Sequence, residues 1–163
     1  YRTALDYAGL TGKETVVDAY CGTGTIGIFA SRNAARVIGV ENNRAAVRDA
    51  ISNAKANRAD NVRFYTADAS DFLQDMAKAG EHADVIILDP PRAGSDERFL
   101  AAVTAGGPER VVYVSCNPET LARDLDCLTR HGYRVTRIQP VDMFPHTEHI
   151  ETVVALTRTD GKS

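Results

Sequence analysis

The chain has 163 residues, 44% of them hydrophobic and 25% charged, which suits one globular domain with a buried core. No apolar run approaches the roughly 20 residues that span a bilayer, and three scattered cysteines without CxxC spacing argue against a disulfide framework or a zinc site. A net charge of −3 excludes a domain whose main task is gripping phosphate backbones through a dense basic block.

Apolar runs alternate with helical patterns along the chain. Tyr1 to Leu10 predicts a short helix stopped by Gly12, Thr15 to Tyr20 a first strand, and Thr25 to Arg32 a helix. Arg36 to Glu41 predicts a second strand, Arg44 to Asn57 a helix, and Asn61 to Tyr65 a third strand. Asp71 to Ala79 reads as a helix with Asp68 or Ser70 near its start, Asp84 to Leu88 as a fourth strand, and Glu97 to Ala105 as a helix closed by Gly106-Gly107. A fifth strand carries the β-branched run from Val111 to Val114 and ends on Cys116. Asn117 and Pro118 suit the N-cap and first position of the helix that follows, which stops near His131-Gly132. Tyr133 to Gln139 and His149 to Leu156 predict two last strands, an antiparallel pair joined by a loop from Pro140 to Thr147. The alternation predicts an α/β fold, a doubly wound and mostly parallel seven-stranded sheet with helices on both faces. One domain is expected over residues 1–158, with a frayed tail at 159–163.

The first five strands each end on polar or reactive residues, which places Asp18 to Cys21, Glu41, Asp68, Asp89 and Cys116 along one edge of the sheet. Gly22-x-Gly24-x-x-Gly27 opens a helix after strand one, and glycines there let a ligand approach the backbone. Glu41, about 20 residues on, is placed to accept hydrogen bonds from a ribose. The pattern fits an adenosine-bearing cofactor, either a nicotinamide dinucleotide or S-adenosylmethionine. Asp18, four residues before the first glycine, disfavours a pyrophosphate and favours a cofactor with a positive amine. Asp68 is placed to contact an adenine or its ribose. Asp89-Pro90-Pro91 is followed by Arg92, where amine methyltransferases carry an aromatic residue, so amine methylation loses support. Cys116 stands at a strand C-terminus beside a helix N-terminus, a setting that favours the thiolate, although a small buried hydrophobe is the plain alternative. Cys21 in the glycine loop and Cys127 in mid-helix read as packing residues. His146 and His149 share a short segment with no cysteine near to complete a metal site, and no metal is expected.

Four segments together resemble the RNA (uracil-5-)-methyltransferase family, namely Asp18 to Thr25, Leu88 to Gly94, Tyr113 to Asp124 and Asp142 to Glu151. The likeness runs through nearly the whole chain in order. It implies the S-adenosylmethionine-dependent methyltransferase (Rossmann-like) fold, and methylation of uridine C5 in RNA with S-adenosyl-L-methionine as donor and S-adenosyl-L-homocysteine as product. 23S ribosomal RNA is expected as substrate ahead of transfer RNA. It further implies Cys116 as nucleophile, Glu151 as general base, and Tyr20, Gly22, Gly24, Thr25, Glu41, Asp68 and Asp89 as cofactor contacts. Thr25 and Asp68 both stand where some members have Asn. Arg92 and Arg123 are candidates for phosphate or the target uridine, and Glu148 competes with Glu151 for the role of base. The family's RNA-binding parts lie upstream, sometimes with an iron–sulfur cluster, and are expected outside this chain, as is a cofactor-contacting Gln. Weak RNA binding, a monomeric state and a cytoplasmic location follow as expectations. The rivals are a nicotinamide-dependent oxidoreductase and a non-catalytic cofactor-binding fragment.

Overall fold

The computed structural model describes residues 1–142 and 150–159. Among these, the strands are β1 (Thr15–Ala19), β2 (Arg36–Glu41), β3 (Val62–Thr66), β4 (Val85–Leu88), β5 (Arg110–Ser115), β6 (Tyr133–Asp142) and β7 (Ile150–Arg158). The α-helices are α1 (Arg2–Ala8), α2 (Thr25–Ala30), α3 (Arg44–Ala56), α4 (Ala69–Lys78), α5 (Glu97–Gly106) and α6 (Pro118–Arg130). One seven-stranded sheet has the order β3-β2-β1-β4-β5-β7-β6. The first five strands run parallel, and β7 pairs antiparallel with both β5 and β6. The chain winds outward from β1 through β2 to β3, then resumes on the other side of β1 with β4. The switch lies between β1 and β4, where open sheets of this kind bind ligands at the strand C-termini.

The inner strands β1, β2, β4 and β5 are mostly apolar because both faces are covered, while the outer strands β3 and β6 carry exposed polar residues such as Arg63 and Arg134. Successive side chains point to opposite faces. Val17, Ala19, Ile86, Leu88 and Tyr113 pack with Leu73 of α4, Phe99 of α5 and Leu121 of α6. Val16, Val85, Ile87, Val112 and Val114 pack with Ala4 and Tyr7 of α1 and Ile26 of α2. Local signals start the helices. Asn43, Asp68, Asp96 and Asn117 each accept a backbone N–H from the first turn of α3, α4, α5 and α6, and such caps are worth about 1 kcal/mol each.

Most boundaries shift by one or two residues, for instance α2, which ends at Ala30 rather than Arg32, and β7, which reaches Arg158 rather than Leu156, and four differences carry further. Tyr20 is not the last strand residue but turns out of β1 at φ 58. Strand five stops at Ser115, leaving Cys116 exposed just beyond it. β6 continues through Pro140 to Asp142, where a loop was expected; it is an edge strand, and only an edge tolerates a residue without an N–H. Thr159, expected in the frayed tail, donates both its N–H (2.7 Å) and its hydroxyl (3.0 Å) to the Gly132 carbonyl. Residues 143–149, which hold the rest of the expected loop to Thr147, Glu148, and His149 at the expected start of the last strand, and residues 160–163 lie outside the described residues, His146 among them.

Candidate active site at the strand C-termini

The turn after β1 uses left-handed backbone at Tyr20, at Gly22 (φ 55) and at Gly24 (φ 88). Gly24 also has no room for a side chain, because a Cβ there would lie 2.7 Å from Phe64. Glu41, at the end of β2, holds this turn. Its Oε1 accepts the Gly22 N–H at 3.1 Å and its Oε2 the Asn43 N–H at 2.8 Å. Asp18 sits beneath, 1% exposed. Its Oδ2 accepts the Gly27 N–H at 2.9 Å, while Oδ1 is buried without a partner. Burial pushes the Asp18 carboxyl up to about 7 despite the Gly27 bond, with the Asp89 and Glu41 charges adding to the effect. An unpartnered buried acid oxygen is costly unless a ligand satisfies it.

That acid forms one wall of a cavity of about 210 Å³, lined also by Tyr1, Tyr20, Cys21, Gly22, Thr25 and Asp89. Thr25 opens α2, and Tyr20 packs against Phe99 with ring centroids 5.2 Å apart and planes tilted by 57°. Burial raises the Cys21 thiol well above its ordinary value, which marks it as a packing group. Asp89 follows β4; burial, then the nearby Glu151 charge, pushes its carboxyl up to about 6. Tyr1 went unnoticed in the sequence. It lines the cavity with Asp18 and Asp89, and its phenol is raised by burial and then by the Asp89, Glu151 and Asp18 charges. Packing of α1 beneath β5 and β7 carries it there, and no local motif announces such a position.

Cys116 and Glu151 come from the antiparallel pair. Ser115 faces Thr152 as the last pair across β5 and β7, and Cys116 and Glu151 are the chain neighbours of that pair. Glu151 is half-buried and pairs with Val141 of β6. The turn that presents Cys116 is tight. Ser115 Oγ accepts the Asn117 N–H at 3.1 Å, and the Asn117 side chain caps α6 at 3.0 Å.

Other expected contacts have structural roles as well. Asp68 caps α4, accepting the Asp71 N–H at 2.9 Å, and it lies outside the cavity lining. The Arg92 side chain is exposed, while its carbonyl is held by Asn117 and Thr120. Arg123, a candidate for RNA, engages Asp124 and the Ala93 and Ser95 carbonyls, each at 3.0 Å. Cys127 is not fully buried; it lines a cavity of about 520 Å³ between α5 and α6. That cavity is larger but touches none of Asp18, Asp89, Cys116 and Glu151. Among the described residues no group of three or more His, Cys, Asp or Glu could hold a metal ion, and no helix is long and apolar enough to cross a membrane.

The site disfavours a nicotinamide dinucleotide. The Gly27 N–H, which a pyrophosphate would take at the helix N-terminus, is occupied by the Asp18 carboxylate.

Comparison with known proteins agrees. The chain is 49% identical over 158 residues to an uncharacterized RNA methyltransferase of Geobacter sulfurreducens, covering 97% of this chain and 32% of that protein. It is 50% identical over 157 residues to one of Listeria innocua, covering 96% and 35%. It thus spans about a third of the length of the curated relatives it matches. Among solved structures it is similar to the Pyrococcus abyssi tRNA (uracil-54, C5)-methyltransferase bound to S-adenosyl-L-homocysteine, with TM-score 0.80 and 35% identity over 96% of this chain and 37% of that one. Precorrin-6y C5,15-methyltransferase from Geobacter metallireducens, at TM-score 0.80 and 19% identity over 96% of this chain and 87% of that one, shares the fold alone. The fold is that of the S-adenosylmethionine-dependent methyltransferases, and the match of residues 4–159 to the tRNA (uracil-5-)-methyltransferase model shows that the chain belongs to that family.

Proposed function

We propose that this chain is the catalytic domain of an enzyme that methylates C5 of a uridine in RNA. The observation that carries the reading is the Ser115–Thr152 pair that ends the register of β5 and β7, since the chain neighbours of that pair, Cys116 and Glu151, then lie at the same end of the sheet as the cavity of Asp18 and Asp89. The cavity suits S-adenosylmethionine. The unpartnered Asp18 Oδ1 meets a protonated amine, and Tyr20, Gly22 and Thr25 form the wall above it. Glu41, at the end of β2, is assigned to the ribose, and Gly24 keeps the turn open. Asp68 is assigned to the adenosine end from the mouth of α4. When bound, the cofactor supplies an electrophilic methyl group.

The residues then divide the work. Uracil C5 is a weak nucleophile. The Cys116 thiol, open to solvent, loses its proton and adds to C6, which leaves an enolate with electron density at C5. After the methyl group has reached C5, Glu151 removes the C5 proton, the C6–S bond breaks, and the Cys116 thiolate leaves. Covalent catalysis divides one hard step into easier ones, and a placed base typically contributes about 10²–10⁴-fold. Arg92, exposed beside this edge, is assigned to the RNA. Ribosomal RNA is proposed ahead of transfer RNA, although the similar Pyrococcus abyssi enzyme carries a transfer-RNA name.

The test incubates the full-length protein with S-adenosylmethionine and unmodified ribosomal or transfer RNA, followed by nucleoside mass spectrometry. 5-Methyluridine in ribosomal RNA is expected. Its appearance in transfer RNA alone would reverse the choice of substrate, and methylation at another base would overturn the reading.

A further inference from the structure

Asp124 is 0% exposed and lies on α6, two turns past Cys116. Both its oxygens are engaged. Oδ2 accepts the Tyr113 hydroxyl at 2.6 Å and the Ser95 N–H at 2.9 Å, and Oδ1 accepts Arg123 Nε at 3.0 Å. Arg123 Nη2 then donates to the Ala93 and Ser95 carbonyls, each at 3.0 Å. The Arg92 carbonyl takes the Asn117 side-chain amide at 3.0 Å and the Thr120 hydroxyl at 3.2 Å. Gly94, at φ +80, is pressed so close that a Cβ would lie 2.7 Å from Arg123 and 2.9 Å from Asp124.

The segment from Arg92 to Ser95 continues the Asp89-Pro90-Pro91 turn. It is therefore bonded through its backbone to the helix whose entrance carries Cys116. Burial and the adjoining Asp124 raise the Tyr113 phenol far above its ordinary value, so it remains a donor at working pH. Asp124, Tyr113 and the Ser95 N–H form the buried part of this network, Arg123 closes it from the surface with its side chain 57% exposed, and the Ser95 hydroxyl alone is buried without a partner; hydrogen bonds to a buried carboxylate hold the groups they join in place. The apolar core below, with Phe99, Leu121 and Leu128, holds the helices together without it. The polar bonds act on the loop.

We propose that Asp124, through Tyr113 and Arg123, is a positioning residue that fixes the Asp89 loop against the Cys116 turn. The cavity assigned to the methyl donor and the thiol assigned to activate the uracil ring are thereby kept at one spacing. The inference rests on the reading of Cys116 as nucleophile. It also reassigns Arg123 from RNA contact to loop clamp.

Two arms test it in the full-length protein. The first measures methyl transfer by the parent, Tyr113→Phe, Arg123→Ala and Arg123→Lys, with S-adenosylhomocysteine affinity and melting temperature as controls. Tyr113→Phe and Arg123→Ala should lose tenfold or more in kcat, with KM for RNA within about threefold, and Arg123→Lys should recover part of the loss. A raised KM with unchanged kcat in Arg123→Ala would return Arg123 to RNA contact, and a Tyr113→Phe kcat within twofold of the parent would overturn the clamp. The second arm follows hydrogen exchange in Asp124→Asn and Tyr113→Phe, which needs no turnover. Faster exchange at the Ser95 amide, with α6 still protected, is expected, and unchanged protection in Tyr113→Phe refutes the clamp. An inactive parent would instead count against the proposed function, and the exchange arm would still decide on the clamp.

Discussion

Ser115 of β5 lies opposite Thr152 of β7, so the antiparallel register leads directly to Cys116 and Glu151. Their order of action gives the first prediction. Cys116→Ala should abolish both methyl transfer and any covalent RNA–protein species, since without a C6 adduct C5 has no nucleophilic character. Glu151→Gln keeps the shape but removes the base, so the methylated adduct should form and persist. RNA carrying 5-fluorouridine should trap the parent likewise, because fluorine does not leave as a proton. A denaturing gel with labelled RNA reads all three. A persistent adduct in Glu148→Gln and none in Glu151→Gln would transfer the role to Glu148.

Asp18 gives a pH dependence. Its carboxyl is raised from 3.8 to about 7 in the folded state, so the folded protein keeps a proton that the unfolded chain releases across that window. Stability of the ligand-free protein should therefore be greatest at the acid end of this window and fall as pH rises through it. Affinity for a cationic amine should move the opposite way, since it needs the carboxylate. S-adenosylhomocysteine should bind roughly tenfold more weakly at pH 6 than at pH 8, one pH unit below the folded value being one decade. Calorimetry at several pH values checks this. Asp18→Asn should bind weakly and without that slope, and a flat profile in the parent would remove Asp18 from amine recognition.

Glu41 carries two tasks, the ribose in the proposed complex and the glycine turn through Gly22. Glu41→Ala should weaken S-adenosylhomocysteine binding by roughly 1.5–3 kcal/mol, the scale of hydrogen bonds to a charged group. Unchanged affinity would place the ribose elsewhere.

Gly24 is constrained both by its φ of 88 and by Phe64 behind it. Gly24→Ala should cost about 2–5 kcal/mol, since the left-handed conformation costs an L-residue about 1–2 kcal/mol and overpacking typically 1–3. Denaturant unfolding of the parent and of Gly24→Ala with Phe64→Leu measures it. The second change should recover only the packing part.

The sequence by itself determined the sheet and its helices. Apolar runs long enough for strands covered on both faces, Asx caps at Asn43, Asp68 and Asn117, and glycines where the backbone turns left-handed all act within a turn or two of chain. The edge that gathers Asp18, Glu41, Asp89 and Cys116 follows from them, because parallel strands in one sheet share a C-terminal side. Tertiary structure decided the rest. Tyr1 reaches Asp18 and Asp89 only because α1 packs beneath distant strands. Arg123, a candidate for phosphate or the target uridine by sequence, is bonded to the Asp89 loop because the fold brings the Ala93 and Ser95 carbonyls to it. Pro140 extends a strand only because β6 is the sheet's edge. In each case the order in which strands and helices pack, rather than any local pattern, sets which groups meet.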